Sequence, residues 1–366
     1  MMTGDFRIFD SDSHFVEPTD LWRHIDPAYR GREPIADPDH SGLVVDGRTL
    51  PTVRFKGVKR WNESLLTDYR PYHDRGWDPV AYREFMSHQG IERMALFPSR
   101  GLMQVGAWGI DPQLAAAIVR AYNDWVAEFL AEGKGQFVGI GQLDLRDVDA
   151  AIAEARRGAT ELGFKAFFIL PEPTLPGVTL ERPYYDPLWS TLEELDIAVA
   201  VHNVAGTGLG QIGADRFGDW ALPRIAFAFP LEAQVALFQF LAGGICERHP
   251  KLRVVILEAG AGWVPFWLWW LDELTERYRG LDVPELSLRP SEYFRRQCFI
   301  SAEMDEPTLP AVIDALGTGP IVTASDFPHP EATMGYGSFL ARDDVGENAK
   351  RQILWDNPVR LYGIGG

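Results

Sequence analysis

Eight short apolar segments recur along the chain, each separated from the next by a helical or loop-rich stretch. They cover residues 6–14, 93–99, 137–144, 164–171, 198–205, 253–260, 298–303 and 320–327. Most are dense in Val, Ile, Phe and Ala without strict polar alternation, the pattern of strands buried on both faces of a parallel sheet. Helical spacing fills the gaps. Ile118, Tyr122, Trp125 and Phe129 fall on one face within 111–132; helices are also expected over 147–162, 231–248, 263–279 and 307–316. Strands alternating with helices make an α/β chain, either a closed barrel or an open doubly wound sheet. The count of eight, with polar residues at several strand ends, favours a (β/α)8 TIM barrel.

Residues 1–366 read as one barrel domain with a long insertion at 15–78, after the first strand. The insertion has little periodicity and many Pro, Gly and Asp. A second, glycine-rich loop covers 206–223. Both fall on the C-terminal face of the expected barrel, where active sites of this architecture are built.

Composition removes several classes of function. A net charge of −17 opposes binding to nucleic acid or acidic membranes. No window is expected to approach the roughly 20 apolar residues that span a bilayer; the longest candidate, 262–271, is about half that and contains Pro265. Residues 1–10 hold two acids and no apolar run, so no signal peptide is expected. Cys246 and Cys298 form no Cys-x-x-Cys pair and read as buried thiols of a cytoplasmic protein.

The chemistry concentrates at strand ends. Simple alternation along the first strand puts Asp10, Asp12 and His14 on one face. Three ionisable groups beside Ile8 and Phe9 are costly to bury unless a cation supplies the counter-charge. His202 ends the run Ala198-Val-Ala-Val201, with Asn203 next as a candidate substrate contact. Glu258 ends Val254-Val-Ile-Leu257. Asp326 ends the last strand, three residues before His329. Glu17 and Arg100, just past the first and second strands, are further candidates for substrate binding. Trp263, Phe266, Trp267 and Trp270 are spaced as one packed helix face, and His249 reads as structural.

Five motifs together resemble the amidohydrolase superfamily, in its amidohydrolase-2 or aminocarboxymuconate-semialdehyde-decarboxylase-like branch. They are Asp10-Ser-Asp-Ser-His-Phe-Val-Glu-Pro18, Ala121-Tyr-Asn-Asp-Trp125, Leu241-Ala-Gly-Gly-Ile-Cys-Glu-Arg-His-Pro-Lys-Leu-Arg253, Leu257-Glu-Ala-Gly-Ala-Gly-Trp263 and Ala324-Ser-Asp-Phe-Pro-His329. The resemblance implies a barrel with a divalent metal at its C-terminal face, held by Asp12, His14, His202 and Asp326. Asp12 stands where the family usually has a first His, and Glu258 where decarboxylases of the branch usually have one.

That last departure turns the expectation toward hydrolysis. A metal-activated water would cleave an ester, thioester, lactone or amide of a small apolar acid derivative, with Asp326 taking the water's proton, His329 protonating the leaving group and Glu258 orienting the water or binding a second metal. Zinc is the metal expected first, with iron, manganese or cobalt as alternatives, in one or two ions. Non-oxidative decarboxylation of an aromatic or unsaturated acid is the alternative, and hydration a third. Analogy with such enzymes suggests a homodimer.

Overall fold

A computed structural model describes residues 6–36, 43–50, 69–101, 109–204, 211–218, 220–329 and 335–365. Parts of both long loops, 37–42, 51–68, 206–210 and 219, therefore lie outside the described residues, as does the expected strand end at 205.

All eight expected strands are present and parallel. They are β1 (Phe9–His14), β5 (Arg93–Phe97), β6 (Phe137–Gln142), β7 (Ala166–Ile169), β8 (Ala198–Val201), β9 (Val254–Ile256), β10 (Cys298–Ala302) and β11 (Ile321–Thr323), paired in that order. Each is shorter than its apolar run: β1 begins later than its run, and in the other seven the last residues of the run leave the ladder. Closure comes from two backbone hydrogen bonds between the first strand and the segment after the last. Asp326 N–H donates to Asp12 O at 3.0 Å, and His14 N–H donates to Phe327 O at 2.6 Å. The closed α/β barrel is therefore a (β/α)8 fold.

Two packed layers result. Phe9, Phe97, Ile140, Phe168, Ala200, Val255, Phe299 and Val322 fill the barrel interior. The alternate residues, among them Leu96, Phe167, Val199, Ile256 and Ile300, pack outward against the helices. The helices Pro112–Ala131, Val148–Thr160, Val264–Arg277 and Leu309–Leu316 fall close to their expected places.

The expected helix at 231–248 is broken. Ala233–Leu241 stops before Gly243, Gly244 takes a left-handed conformation (φ 84°), and a short turn, Ile245–Arg248, follows. Upstream, Ala221–Phe227 and a widened turn at Ala228–Glu232 extend the helix backward; Pro230, which has no N–H to give, lies in that turn. The stretch Ala221–Arg248 is long and apolar enough to cross a membrane, which the sequence reading missed, and half of its most apolar window is buried inside the protein. The tryptophan face also needs correction. Val264, Leu268 and Leu271 are the buried side of Val264–Arg277, while Trp263, Trp267 and Trp270 are half-buried and Phe266 is exposed.

The insertion after β1 carries a small antiparallel sheet of β2 (Ile35–Ala36), β3 (Leu43–Val45) and β4 (Arg48–Thr49). Leu43, Val45 and Leu50 pack with Ile25 against Leu114 and Ile118 of the helix Pro112–Ala131. It is docked on the barrel through a shared apolar cluster.

Candidate metal centre

A bulge in β1 decides which side chains reach the barrel mouth. Asp10 pairs with Met94, but Ser13, three residues later, pairs with Leu96, only two later. The extra residue shifts the alternation. Asp10 and Ser13 end up opposite outward-facing partners, while His14 pairs with inward-facing Phe97. Asp10 therefore does not share a face with Asp12 and His14, as simple alternation suggested. Its carboxylate instead accepts hydrogen bonds from Ser13 Oγ at 2.8 Å and from Ser325 N and Oγ at 2.9 and 2.5 Å. Burial outweighs these bonds and pushes its carboxyl up to about 6.

Asp12, His14 and His202 converge at the centre, all buried. His14 Nδ1 lies 2.6 Å from Pro98 O and His202 Nδ1 lies 2.7 Å from Asn203 O. A carbonyl only accepts, so both Nδ1 atoms are donors and each Nε2 is left to face the cavity. Neither Nε2 has a hydrogen-bond partner, nor has Asp12 Oδ1, although all three atoms are buried. Asp12 Oδ1 lies 3.6 Å from His14 Nε2 and its Oδ2 lies 3.4 Å from His202 Nε2. Asp326 Oδ1 lies 3.1 Å from His14 Nε2. Orphaned imidazole nitrogens and carboxylate oxygens in one pocket, with both imidazoles oriented from behind by carbonyls, are the donor set of a divalent-metal site. The residues fit the metal that the fold implies.

Glu258, Asp326 and His329 form the open side, with side chains 20%, 22% and 21% exposed. The His329 ring stacks on His14 with centroids 4.1 Å apart. Its Nδ1 lies 2.8 Å from Asp326 Oδ1 and its Nε2 3.0 Å from Ser99 Oγ. Both ring nitrogens are thus engaged, while His329 still clusters with His14, Glu258 and Asp326 within 4.8 Å. Glu258 Oε1 is 3.6 Å from His14 Nε2 and 3.9 Å from His329 Nδ1.

The protein's own charges polarise this cluster. Burial disfavours charged His329, but Asp326 outweighs it and holds the imidazole up at about 9. His14 stands well above its ordinary value for the same reason, burial being overcome by Asp326, Glu258 and Asp12. His202 is raised against burial by Glu258 and Asp12. Burial would raise Glu258, yet His202, His14 and His329 hold it well below the usual carboxylate range.

The other expected contacts are placed differently. The Glu17 carboxylate accepts from the backbone N–H groups of Ser99, Arg100 and Gly101 and from Tyr122 OH at 2.8–3.1 Å, so it organises the loop after β5. Asn203 spends its amide N–H groups on Phe229 O and Leu257 O, at 3.0 and 3.3 Å, latching β8 to β9. The Glu17 carboxylate is committed to that loop, whereas Asn203 keeps its Oδ1 without a hydrogen-bond partner. Arg100 is exposed and lines a cleft with Glu17, Trp22, Pro34 and Leu43. His249, expected to be structural, is buried beside Asp186 and Glu193, away from the cluster.

Two residues were overlooked. Glu303 follows β10 directly. Although open to solvent, it is enclosed enough that desolvation, then Asp326 and Glu258, push it up to about 7. An acid ending an apolar strand is the signal that singled out Glu258, and it applied here too. Ser99 carried no signal; only the fold brings it to His329, 230 residues away.

The family described as Amidohydrolase matches residues 10–364. The gamma-resorcylate decarboxylase of Rhodococcus jostii strain RHA1 is 30% identical over 257 residues, covering 67% of this chain and 75% of that protein. The 2-amino-3-carboxymuconate-6-semialdehyde decarboxylase of Dictyostelium discoideum is 24% identical over 297 residues, covering 81% and 79%. Among solved structures, an amidohydrolase from Mycobacterium avium subsp. paratuberculosis K-10 superposes with a TM-score of 0.79 at 23% identity, covering 99% of both chains. A dihydroxybenzoic acid decarboxylase from Polaromonas sp. JS666, with bound manganese and the inhibitor 2-nitroresorcinol, gives 0.70 at 19% identity, covering 98% of this chain and 97% of that one.

Proposed function

The chain belongs to the amidohydrolase family, and from that premise we propose that it is a metal-dependent, non-oxidative decarboxylase of an aromatic or unsaturated carboxylic acid. This replaces the preference for hydrolysis drawn from Glu258, because the curated relatives named above are decarboxylases. The observation that carries the reading is the His329–Asp326 pair, 2.8 Å apart at the rim of the donor cluster. It sets a proton between an imidazole and a carboxylate on the side of the site that opens outward.

Asp12, His14, His202 and Asp326 would hold the divalent cation, which supplies a Lewis-acid anchor for the substrate carboxylate and a neighbouring oxygen. Imidazole and carboxylate donors serve manganese, bound in the Polaromonas enzyme, as well as zinc. The proton held between His329 Nδ1 and Asp326 Oδ1 goes to the carbon that bears the carboxylate. The bond from that carbon to the carboxylate then breaks, its electron pair restores the conjugated system, and carbon dioxide leaves. Water returns the proton. Ser99 Oγ, on Nε2, and the stack on His14 keep the His329 ring in place for each cycle.

Hydrolysis is the second reading, favoured by Glu258, a carboxylate at the mouth placed to orient a water. A panel of hydroxybenzoates and related acids, scored for carbon dioxide, should be run beside esters, thioesters, lactones and amides. Carbon dioxide release from at least one acid is expected. Turnover confined to the carbonyl panel would overturn the decarboxylase reading.

A further inference from the structure

We propose that Glu258 is itself a ligand of the cation, so that this chain binds its metal through three carboxylates and two imidazoles instead of the four ligands expected from its sequence. The proposal rests on the divalent-metal reading of the cluster and is independent of which bond the enzyme breaks.

The backbone argument comes first. Val255 and Leu257 face the barrel interior, Val254 and Ile256 the helices. Continued alternation would turn residue 258 outward. Glu258 instead adopts φ 49°, in the left-handed region that non-glycine residues seldom occupy. That step brings its carboxylate back over the mouth. Asp326 carries the same kind of turn, at φ 54°, and it too delivers a carboxylate to His14.

The atomic argument is one of mismatched acceptors. Glu258 Oε1 lies 3.6 Å from His14 Nε2 and 3.9 Å from His202 Nε2. Both distances are too long for a hydrogen bond. Both Nε2 atoms belong to rings whose Nδ1 donates to a carbonyl, so each presents a lone pair when the ring is neutral. A carboxylate oxygen facing two nitrogen lone pairs is repelled unless a cation lies among them. Donors about 2.1 Å from one ion can be at most about 4.2 Å apart. Glu258 Oε1 falls within that limit of both imidazole nitrogens, at 3.6 and 3.9 Å, and it clusters with the donor atoms of His14 and Asp326.

The ion-pair contacts of Glu258 among the described residues are to His14, His202 and His329 alone. The Nδ1 of His329 is already engaged by Asp326, leaving 3.9 Å to Glu258.

Manganese binding tests the assignment without substrate. The metal-stripped protein is titrated with Mn2+ while electron paramagnetic resonance reads the free ion, and circular dichroism checks the fold. Glu258→Gln and Glu258→Ala should weaken binding by roughly 10-fold or more, a loss of the size seen when a metal site's supporting groups are removed. Glu303→Gln removes a nearby carboxylate outside the ligand set and should change the dissociation constant less than threefold. Folded Glu258 variants with wild-type affinity would overturn the proposal. Equal losses in the Glu258 and Glu303 variants would overturn it too, since long-range charge would then explain both. Failure of the wild type to bind Mn2+ would remove the metal reading and this proposal together, whereas the carbon dioxide assay alone bears on the reaction.

Discussion

Asp10 Oδ1 accepts the backbone N–H of Ser325 across 2.9 Å, tying the first strand of the barrel to the end of the last. The same carboxylate takes the hydroxyls of Ser325 and Ser13. It therefore acts as a clamp behind the metal centre, holding in register the two segments that present Asp12, His14 and Asp326.

Removing that clamp should cost stability before it costs chemistry. Asp10→Ala leaves the Ser325 N–H and one of the two hydroxyls unpaired, the other able to turn to its neighbour 3.2 Å away, at roughly 1–3 kcal/mol for each unsatisfied group. A destabilisation of about 2–4 kcal/mol is expected in urea denaturation, with Asp10→Asn milder because one acceptor oxygen survives. An unchanged midpoint in Asp10→Ala would show that the clamp carries no weight.

Metal content should follow the orphaned imidazole nitrogens. His14→Ala and His202→Ala are expected to purify without bound metal, and His249→Ala to retain it. Elemental analysis of the three variants decides. The affinity should also fall as pH falls. Both imidazoles are held above their ordinary value by nearby carboxylates, so protons on Nε2 must leave before a cation binds, and acid restores them. A dissociation constant flat between pH 8 and about pH 5 would contradict this, since neutral imidazole is the ligand.

His329 is expected to matter for turnover and not for metal. His329→Gln should reduce kcat by roughly 10²–10⁴-fold, the contribution of a positioned acid–base group, while bound metal stays near the wild-type level. Loss of metal in this variant would instead make His329 a ligand and break the proton-transfer scheme.

Glu172 gives a pH signature away from the metal. It is buried three residues past β7; its Oε1 accepts from Gln211 Nε2 at 2.5 Å and its Oε2 has no hydrogen-bond partner. Burial, then the neighbouring Glu232, push it up to about 8 from an ordinary value of 4.5. The folded state thus keeps a proton that the unfolded state releases. Stability falls with rising pH between those two values and levels off above the higher one. Glu172→Gln removes this titration, so the variant's melting temperature should gain on the wild type as pH rises from 5 to 8. Parallel curves over that range would falsify the assignment.

Much of the architecture was legible in the sequence because it depends on local composition. Continuous apolar runs specify doubly buried strands, and eight of them separated by amphipathic helices narrow the fold to a closed barrel or an open doubly wound sheet. His202, Glu258 and Asp326 stood out because an ionisable residue ending such a run has to be compensated by something. What the tertiary structure alone decided was direction. One extra residue in β1 turned Asp10 away from Asp12 and His14, and left-handed backbone at Glu258 and Asp326 turned their carboxylates over the mouth. Glu17 became scaffold because distant backbone groups reached its carboxylate first. Ser99 and His329 met across the whole chain. Side-chain direction depends on register and φ, and those are fixed by hydrogen bonds between segments hundreds of residues apart, which no local pattern records.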